Sequence, residues 1–354
     1  MRFFLAAGLL ALTLGVGIAA PIPKGQAKNP WVGKFAFVKA KDVKLHIIQA
    51  DGTESAGIVG AGVNVFYYTV SKVGGDRIEI SSANSDRVYY FQRDDVLKAT
   101  DAIEFYTTKL KDAPKDTFYL ALRAWANYAE DKFDAAEADC TTALNVETNS
   151  PTVLRIRAII RLGAKKFEGA IEDFDKLIAQ WPNDEWAIRQ RASAKASLKK
   201  YDEAIAEYTK LLATTGNRND VLIGRGLAYD HSGQHAKALA DYEEILKSNP
   251  KSAVAWNNKA WLRCTCPEAK FRNGKEAVEL ATKACELTEW ANAGYLDTLA
   301  AAYAEQGDFE KAMKWQREAM QDKELMKRED GEITARLELY KQKKPYRQPV
   351  AEKK

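Results

Sequence analysis

The chain has 354 residues, 46% hydrophobic and 29% charged, which excludes a disordered polyampholyte and leaves room for two domains, or one domain and a repeat array. Its net charge is only +4, and the stretch Lys341–Lys354 together with Arg2 supplies more than that surplus, so no nucleic-acid partner is implied. Four Cys and three His leave little material for a metal cluster or a Cys/His nucleophile.

Residues Phe3–Ala20 carry no charge, follow Arg2, and run into Pro21 and Pro23. A cationic start, a Leu-rich apolar core and small residues at its end make a secretory signal. Gly17 and Ala19 meet the small-x-small requirement and place cleavage after Ala19, giving a signal over 1–19 and a linker over 20–30. An uncleaved anchor is the alternative, since these 18 residues just suffice to span a bilayer. The mature chain is expected to be exported, periplasmic or secreted, with no stable membrane insertion.

From 31 to 99 the texture is that of strands. Phe35–Val38, Val43–Ile48, Val63–Ser71, Arg77–Ser81 and Val88–Gln92 are rich in β-branched and aromatic residues. Asp51-Gly52, Gly60-Ala61-Gly62, Gly74-Gly75-Asp76 and Asn84-Ser85-Asp86 separate them as turns. Five short strands predict a small antiparallel barrel, closed to hide its edges. Gly57-Ile58-Val59-Gly60-Ala61-Gly62 is not a phosphate loop, because a strand and no helix N-terminus follows it. Val43-Lys44-Leu45, Tyr68-Thr69-Val70 with Gly75-Asp76, and Arg93-Asp94-Asp95-Val96 resemble the Src-homology-3-like barrels of exported bacterial proteins. Val88-Tyr89-Tyr90-Phe91 stands where that pattern usually has Gly-Trp-Val, which weighs against binding of cell wall by the barrel.

Beyond residue 100 a period of 34 takes over. Ala102, Ala136, Ala170, Ala204 and Ala238 keep that step, as do Arg123, Arg157, Arg191 and Arg225, and the acids Asp139, Asp173, Glu207 and Asp241. Phe133, Phe167 and Tyr201 form another column, and Phe174, Tyr208 and Tyr242 a further one. Each unit reads as two helices with a short turn; in the fourth, Val221–His231 and Ala236–Lys247 flank Ser232-Gly233-Gln234, and Asn249-Pro250 ends the second. The index sums predict that each Arg faces the acid of its own unit across the hairpin, as a pair or as a ladder with the next unit.

Arg225-Gly226-Leu227-Ala228-Tyr229, Gly233, Ala238, Tyr242 and Pro250 resemble the tetratricopeptide repeat. A half repeat at 101–116 leads into six units at 117–150, 151–184, 185–218, 219–252, 253–292 and 293–326, the fifth enlarged at Pro267–Gly274. A capping helix and a basic, solvated tail are expected over 327–354. The fold class is thus α+β multidomain: a small antiparallel β-barrel followed by an all-α right-handed superhelix of helix-turn-helix repeats. The resemblance implies that first helices line a concave face that holds a protein or peptide ligand. In the repeat register that face carries Trp125, Tyr128, Arg155, Ile159, Trp186, Arg189, Gln190, Asn257, Asn258 and Trp261. Trp, Tyr and Arg suit an interface because they bury large area with few rotors. Ala121 and Trp125 stand where some family members place the first pair of a Lys/Asn carboxylate clamp, so an internal segment, and not a free C-terminus, is the expected ligand. That segment is expected to carry an aromatic or aliphatic anchor with some acidic character for Arg155 and Arg189. The alternative use of the aromatics is to pack one unit on the next.

His231 and His235 have the spacing of a helical zinc pair, but Gly233 lies between them at a turn and His235 sits in the column of Phe133, Phe167 and Tyr201, as a packing residue. Cys285 should face residue 252 across its hairpin, roughly 20 Å from Cys266, too far for a disulfide unless the enlarged loop changes the path. No catalytic residue, cofactor or metal site is assigned. The chain reads as a non-enzymatic scaffold for other polypeptides; the alternative is an envelope anchor whose barrel and basic tail bind wall polymer or acidic lipid.

Overall fold

The computed structural model describes residues 35–39, 43–48, 54–58, 67–80, 88–216 and 218–350, so the expected signal at 1–19 and linker at 20–30 lie outside the described residues. Two compact units divide the chain, Met1–Leu198 and Lys199–Lys354.

The first unit opens with an antiparallel sheet of β1 (Phe35–Val38), β2 (Lys44–Ile48), β3 (Glu54–Ile58), β4 (Tyr67–Gly74), β5 (Arg77–Ile80), β6 (Val88–Gln92) and β7 (Val96–Leu97), in the order β3-β2-β6-β5-β4-β1-β7. Registers such as Phe37↔Tyr67, His46↔Tyr90 and Ile78↔Phe91 align the apolar positions. Ile78 and Ile80 are buried while Arg77 is exposed, the alternation of a strand with one covered face. The β4–β5 hairpin turns at Gly75-Asp76, where Gly75 takes φ +56°, a backbone state that a two-residue hairpin turn requires and glycine supplies without strain. Closure into a barrel requires β3 to meet β7, and no such pairing is made among the described residues. Gly57 and Ile58, at the start of the glycine-rich run that is no phosphate loop, are the end of β3; Gly57 lies opposite Leu45.

Fourteen α-helices follow among the described residues: a lead-in helix, twelve helices in repeat order and one after them. In the first are α1 (Ala99–Asp112), α2 (Thr117–Ala129), α3 (Phe133–Val146), α4 (Pro151–Gly163), α5 (Phe167–Gln180) and α6 (Glu185–Ser197). Asp116 caps α2 by accepting from the Phe118 and Tyr119 amides, Pro151 opens α4, and Asp184 caps α6 through the Ala187 amide. Tyr106 of α1, buried, donates to the Val38 carbonyl at 2.6 Å and fixes the helix to β1. One apolar core runs from Ala36 and Phe37 of the sheet to Ala194 of α6. Sheet and helices of this unit therefore share an interior.

The second unit holds α7 (Tyr201–Leu211), α8 (Arg218–His231), α9 (His235–Ser248), α10 (Ala253–Thr265), α11 (Gly274–Leu287), α12 (Ala293–Gln306), α13 (Phe309–Ala319) and α14 (Lys323–Lys341). Gly226 is required at the α8–α9 crossing: a Cβ there would lie 2.6 Å from the Tyr242 ring. Asn273, Asn292, Asp308 and Asp322 cap α11 to α14.

The arginine column forms the expected pairs in three repeats. Arg123 Nε and Nη2 donate to Asp139 at 2.9 and 2.6 Å, Arg157 to Asp173 at 3.0 and 2.6 Å, and Arg225 to Asp241 at 2.9 and 2.7 Å. The remaining Nη1 of each reaches the hydroxyl sixteen residues earlier, on the preceding second helix: Thr107, Thr141 and Thr209 at 3.1, 3.3 and 3.3 Å. Arg191 Nη1 donates to Asp175, the residue at that same offset, at 2.7 Å, while Glu207 belongs to the other unit. Lys259 continues the column, 3.0 Å from Glu243 and 3.6 Å from Glu276. Each guanidinium thus joins its own hairpin to the one before it.

Two tests follow from this packing. Arg157→Ala leaves Asp173, wholly buried, with Arg161 at 2.9 Å as its remaining cationic partner, and should cost about 3 kcal/mol in urea unfolding; a loss below about 1 kcal/mol rejects the ladder as a structural element. The turn between paired helices also carries a left-handed residue in five repeats, at Asp131, Lys165, Lys199, Gly233 and Gly307. Lys165 is exposed with φ 60°, so Lys165→Gly should stabilise by about 0.5–1 kcal/mol and raise the melting midpoint, and an unchanged or lower midpoint refutes the strain.

Candidate peptide-binding face

In the first unit, the residues assigned to the inward face of α2, α4 and α6 divide by burial. Trp125, Ile159 and Gln190 are buried; Tyr128, Arg155, Trp186 and Arg189 are half-buried. Trp125 meets Tyr128 edge-on with ring centroids 5.5 Å apart, and Tyr128 meets Phe133 at 5.8 Å. The Tyr128 ring also fills the space beside Gly163, where a Cβ would approach it to 2.7 Å. Trp125 and Tyr128 therefore pack α2 against α3 and α4, the alternative use of these aromatics. Arg155 and Trp186 form a more open pair. The guanidinium lies 4.8 Å over the indole and pairs with Asp184, the cap of α6, while the far edge of Trp186 rests on Phe174 at 5.7 Å. Because Asp184 already meets Arg155, this site presents a cation–π platform more than a bare charge for an acidic ligand.

In the second unit, Asn257, Asn258 and Trp261 are half-buried on α10. Asn257 Nδ2 donates to Asn258 Oδ1 at 3.4 Å, and the Asn257 oxygen is buried with no hydrogen-bond partner among the described residues. Trp261 is covered by the chain's own C-terminus. After α14, Lys343 takes φ 57°, the Lys343 and Lys344 amides donate to the Tyr340 and Leu339 carbonyls, and the chain turns back. Pro345–Gln348 are half-buried, so the tail expected to be solvated is docked over this stretch.

Tyr346, Arg347 and Gln348 hold the docked stretch in place. The Tyr346 ring lies 5.9 Å from that of Trp261, and Arg336 of α14 sits 5.6 Å from both rings. Arg336 is buried and donates to Asp297 Oδ1 at 3.0 Å. Arg347 forms an ion pair with Glu305 at the end of α12, and its Nη1 reaches the Cys264 carbonyl at 3.4 Å. The Gln348 amide donates to the Thr265 carbonyl at 2.8 Å, and its side chain to Asp230 of α8 at 3.5 Å. The enlarged fifth repeat builds one wall: Arg272 Nε donates to Glu305 at 3.1 Å, while its Nη1 holds the Cys266 and Pro267 carbonyls at 2.8 and 3.0 Å.

Sequence reasoning placed Trp261 on this face but missed Asp230, Glu305, Arg336 and the docked Tyr346–Gln348. Nor is His235 merely a packing residue. Its ring meets Phe271 edge-on at 5.4 Å, but Nδ1 is 2.8 Å from Asp230 Oδ1. Burial opposes its charge; hydrogen bonds to Asp230 and Cys266 and the Asp230 charge outweigh that and push it up to about 10. His231, stacked on Tyr201 at 6.2 Å, is pushed below its ordinary value by burial, against the Asp230 charge and with that of His235. Cys140, Cys264, Cys266 and Cys285 are all buried free thiols.

Residues 189–261 and 293–321 each match the tetratricopeptide repeat family, and the chain carries tetratricopeptide repeats. No curated protein sequence matches it. A tetratricopeptide repeat protein from Parabacteroides merdae is similar in structure at 16% identity, with 69% of this chain and 92% of that one covered and a TM-score of 0.54. The APC/C hetero-tetramer Cut9–Hcn1 matches at 14% identity over 69% of this chain and 46% of the other, with a TM-score of 0.50. YrrB, described as a tetratricopeptide repeat protein with an unusual peptide-binding site, matches at 15% identity over 55% and 97%, with a TM-score of 0.40. The two higher-scoring likenesses show the fold of the helical repeat array, of the superhelical tetratricopeptide kind, which follows the small antiparallel sheet.

The histidines give a pH test. His235 should stay protonated through pH 8 in an NMR titration while His231 stays neutral at pH 7. Since the folded value of about 10 exceeds the ordinary 6.5, the contribution of His235 to stability is complete below pH 6.5 and fades as pH rises through 10. The stability gap between the parent and His235→Phe should shrink over that window; a gap constant with pH refutes the ion pair.

Proposed function

We propose that the chain is a non-enzymatic, exported scaffold that holds extended polypeptides on the face made by its first helices. One observation carries the reading: a short polypeptide segment without regular structure, Pro345–Gln348, lies against α8, α10 and α12 of the second unit, held through backbone, aromatic and charged groups. A surface that accepts one such strand has the chemistry to accept another. In the first unit, Arg155 stacked on Trp186 offers a second anchor of the kind that dominates interface energies. Export rests on the apolar segment after Arg2 and its small-x-small end at Gly17 and Ala19. Among the described residues no helix is long and apolar enough to cross a membrane. The envelope-anchor alternative draws on a free basic tail, and the engagement of Arg347 by Glu305 takes one of its charges away from any polymer.

The test is affinity capture from an envelope extract with the parent and with Trp186→Ala plus Trp261→Ala, each preceded by a melting curve. Capture lost by at least about tenfold with melting preserved supports the first-helix face; capture retained rejects it. N-terminal sequencing of the exported chain should begin at Ala20, and an intact Met1 in the envelope fraction overturns the cleaved signal.

A further inference from the structure

We propose that the second unit's groove selects a segment ordered aromatic, arginine, amide, that Tyr346-Arg347-Gln348 is a tethered occupant of it, and that partner polypeptides enter by displacing this tail. The inference rests on the scaffold reading above and names the partner chemistry of one part of that face.

The three subsites are built from the first helices α8, α10 and α12 together with α14. Trp261 and the guanidinium of Arg336 form an aromatic–cation surface that the Tyr346 ring completes. Glu305, with 13% of its side chain exposed, faces Arg272 on one side and Arg347 on the other. The Thr265 carbonyl and Asp230 present acceptors to the backbone amide and side-chain amide of Gln348. Removal of the tail leaves the Trp261 and Arg336 surface uncovered and takes one of two guanidinium partners from a mostly buried carboxylate. Desolvated groups of this kind penalise any occupant that does not replace the lost contacts. An acidic segment is opposed by Glu305 and Asp230, and an aliphatic one leaves Glu305 without its second cation. The replacement that satisfies every group is a basic segment with an aromatic residue just before its arginine.

The tail is built as a competitor. Four residues, Gln342–Pro345, separate the end of α14 from Tyr346, and the turn at Lys343 aims them back along the face. A tether this short holds the tail at an effective concentration on the order of millimolar, so a free segment of equal contacts binds the parent chain far more weakly than a chain whose tail has been disarmed. Beyond the docked residues Pro349 and Val350 are exposed, Val350 by 77%, so among the described residues contact is confined to a few that a partner can replace stepwise.

The experiment uses a fluorescein-labelled synthetic peptide spanning residues 343–350, the full-length parent, and full-length Tyr346→Ala plus Arg347→Ala, read by anisotropy. The disarmed chain should bind the peptide at least about tenfold more tightly than the parent. A peptide with Arg347→Glu should lose at least about tenfold on the disarmed chain, and adding Glu305→Lys there should reverse that preference. A second measurement needs no variant: the Gln348 amide of the parent should be protected from hydrogen exchange and lose protection in excess unlabelled peptide. Equal binding to both chains, no binding to a disarmed chain of parental helicity and melting, or Gln348 exchange at the rate of a free peptide overturns the proposal. If the peptide fails while partner capture still depends on Trp186 and Trp261, the scaffold reading stands and this inference alone falls.

Discussion

A guanidinium that grips an aspartate of its own hairpin with two nitrogens and a side chain of the preceding hairpin with the third is the joint on which the array depends. An apolar column alone does not fix the angle between neighbouring repeats, because alanine and leucine surfaces slide with little penalty. The planar fork of Arg123, Arg157 or Arg225 has one geometry that serves all three donors. Its acid is nearly buried in each case, so a hairpin that rotated away would strand a carboxylate in a low-dielectric interior. The joint occurs at Arg123 and Arg157 in the first unit and at Arg225 in the second, and at each it fixes one hairpin against the helix before it.

In the proposed scaffold reading, what the first-helix face accepts is set by the residues that interrupt the repeat. Arg155 with Trp186 in the first unit, and Trp261, Glu305 and Asp230 in the second, are not column residues that every hairpin shares. They sit on the regular backbone and use its precision, in the way that loops on a rigid scaffold carry function elsewhere. The enlarged fifth repeat belongs to the same class. Its Arg272 ties the loop carbonyls of Cys266 and Pro267 to Glu305, which is also the partner of Arg347. The insertion thereby holds the carboxylate that Arg347 meets, while α10 stays packed on α11.

The helical array was legible in the sequence because each column performs one physical task at every occurrence. Ala102, Ala136, Ala170, Ala204 and Ala238 are all fully buried, as a helix crossing demands. The Arg and acid columns could be paired before any coordinates, since index sums fix what faces what in a hairpin. The third contact, to Thr107, Thr141 and Thr209, was there at a constant offset of sixteen but connects different hairpins, which within-unit sums do not reveal. β3 escaped notice because Glu54-Ser55-Ala56-Gly57-Ile58 has one branched residue, Ile58, and no aromatic one; its pairing with β2 comes from the neighbour. The left-handed turn residues Asp131, Lys165 and Lys199 were hidden for the opposite reason, as ordinary side chains in a backbone state that usually announces itself by glycine. The docked tail was the least legible element. It lies outside the period, and its partners Asp230, Trp261 and Glu305 come from three repeats, so no local pattern joins them.

The tail also answers a problem that every repeat array faces at its end. Among the described residues α12 is the last first helix, and it carries a nearly buried Asp297 that needs a cation. Helix α14 supplies Arg336, held at 3.0 Å, and Gln316 of α13 donates to the same oxygen at 2.7 Å. A guanidinium buried in this way needs more than one carboxylate, and the rings of Trp261 and Tyr346 provide polarisable faces on it. Capping the array and filling the groove are therefore one event, in which Tyr346 finishes the surroundings of Arg336. An exchangeable occupant must then be weakly held contact by contact, or it would never leave. Three docked residues on a four-residue tether meet that condition, since proximity sustains occupancy that the contacts alone would not.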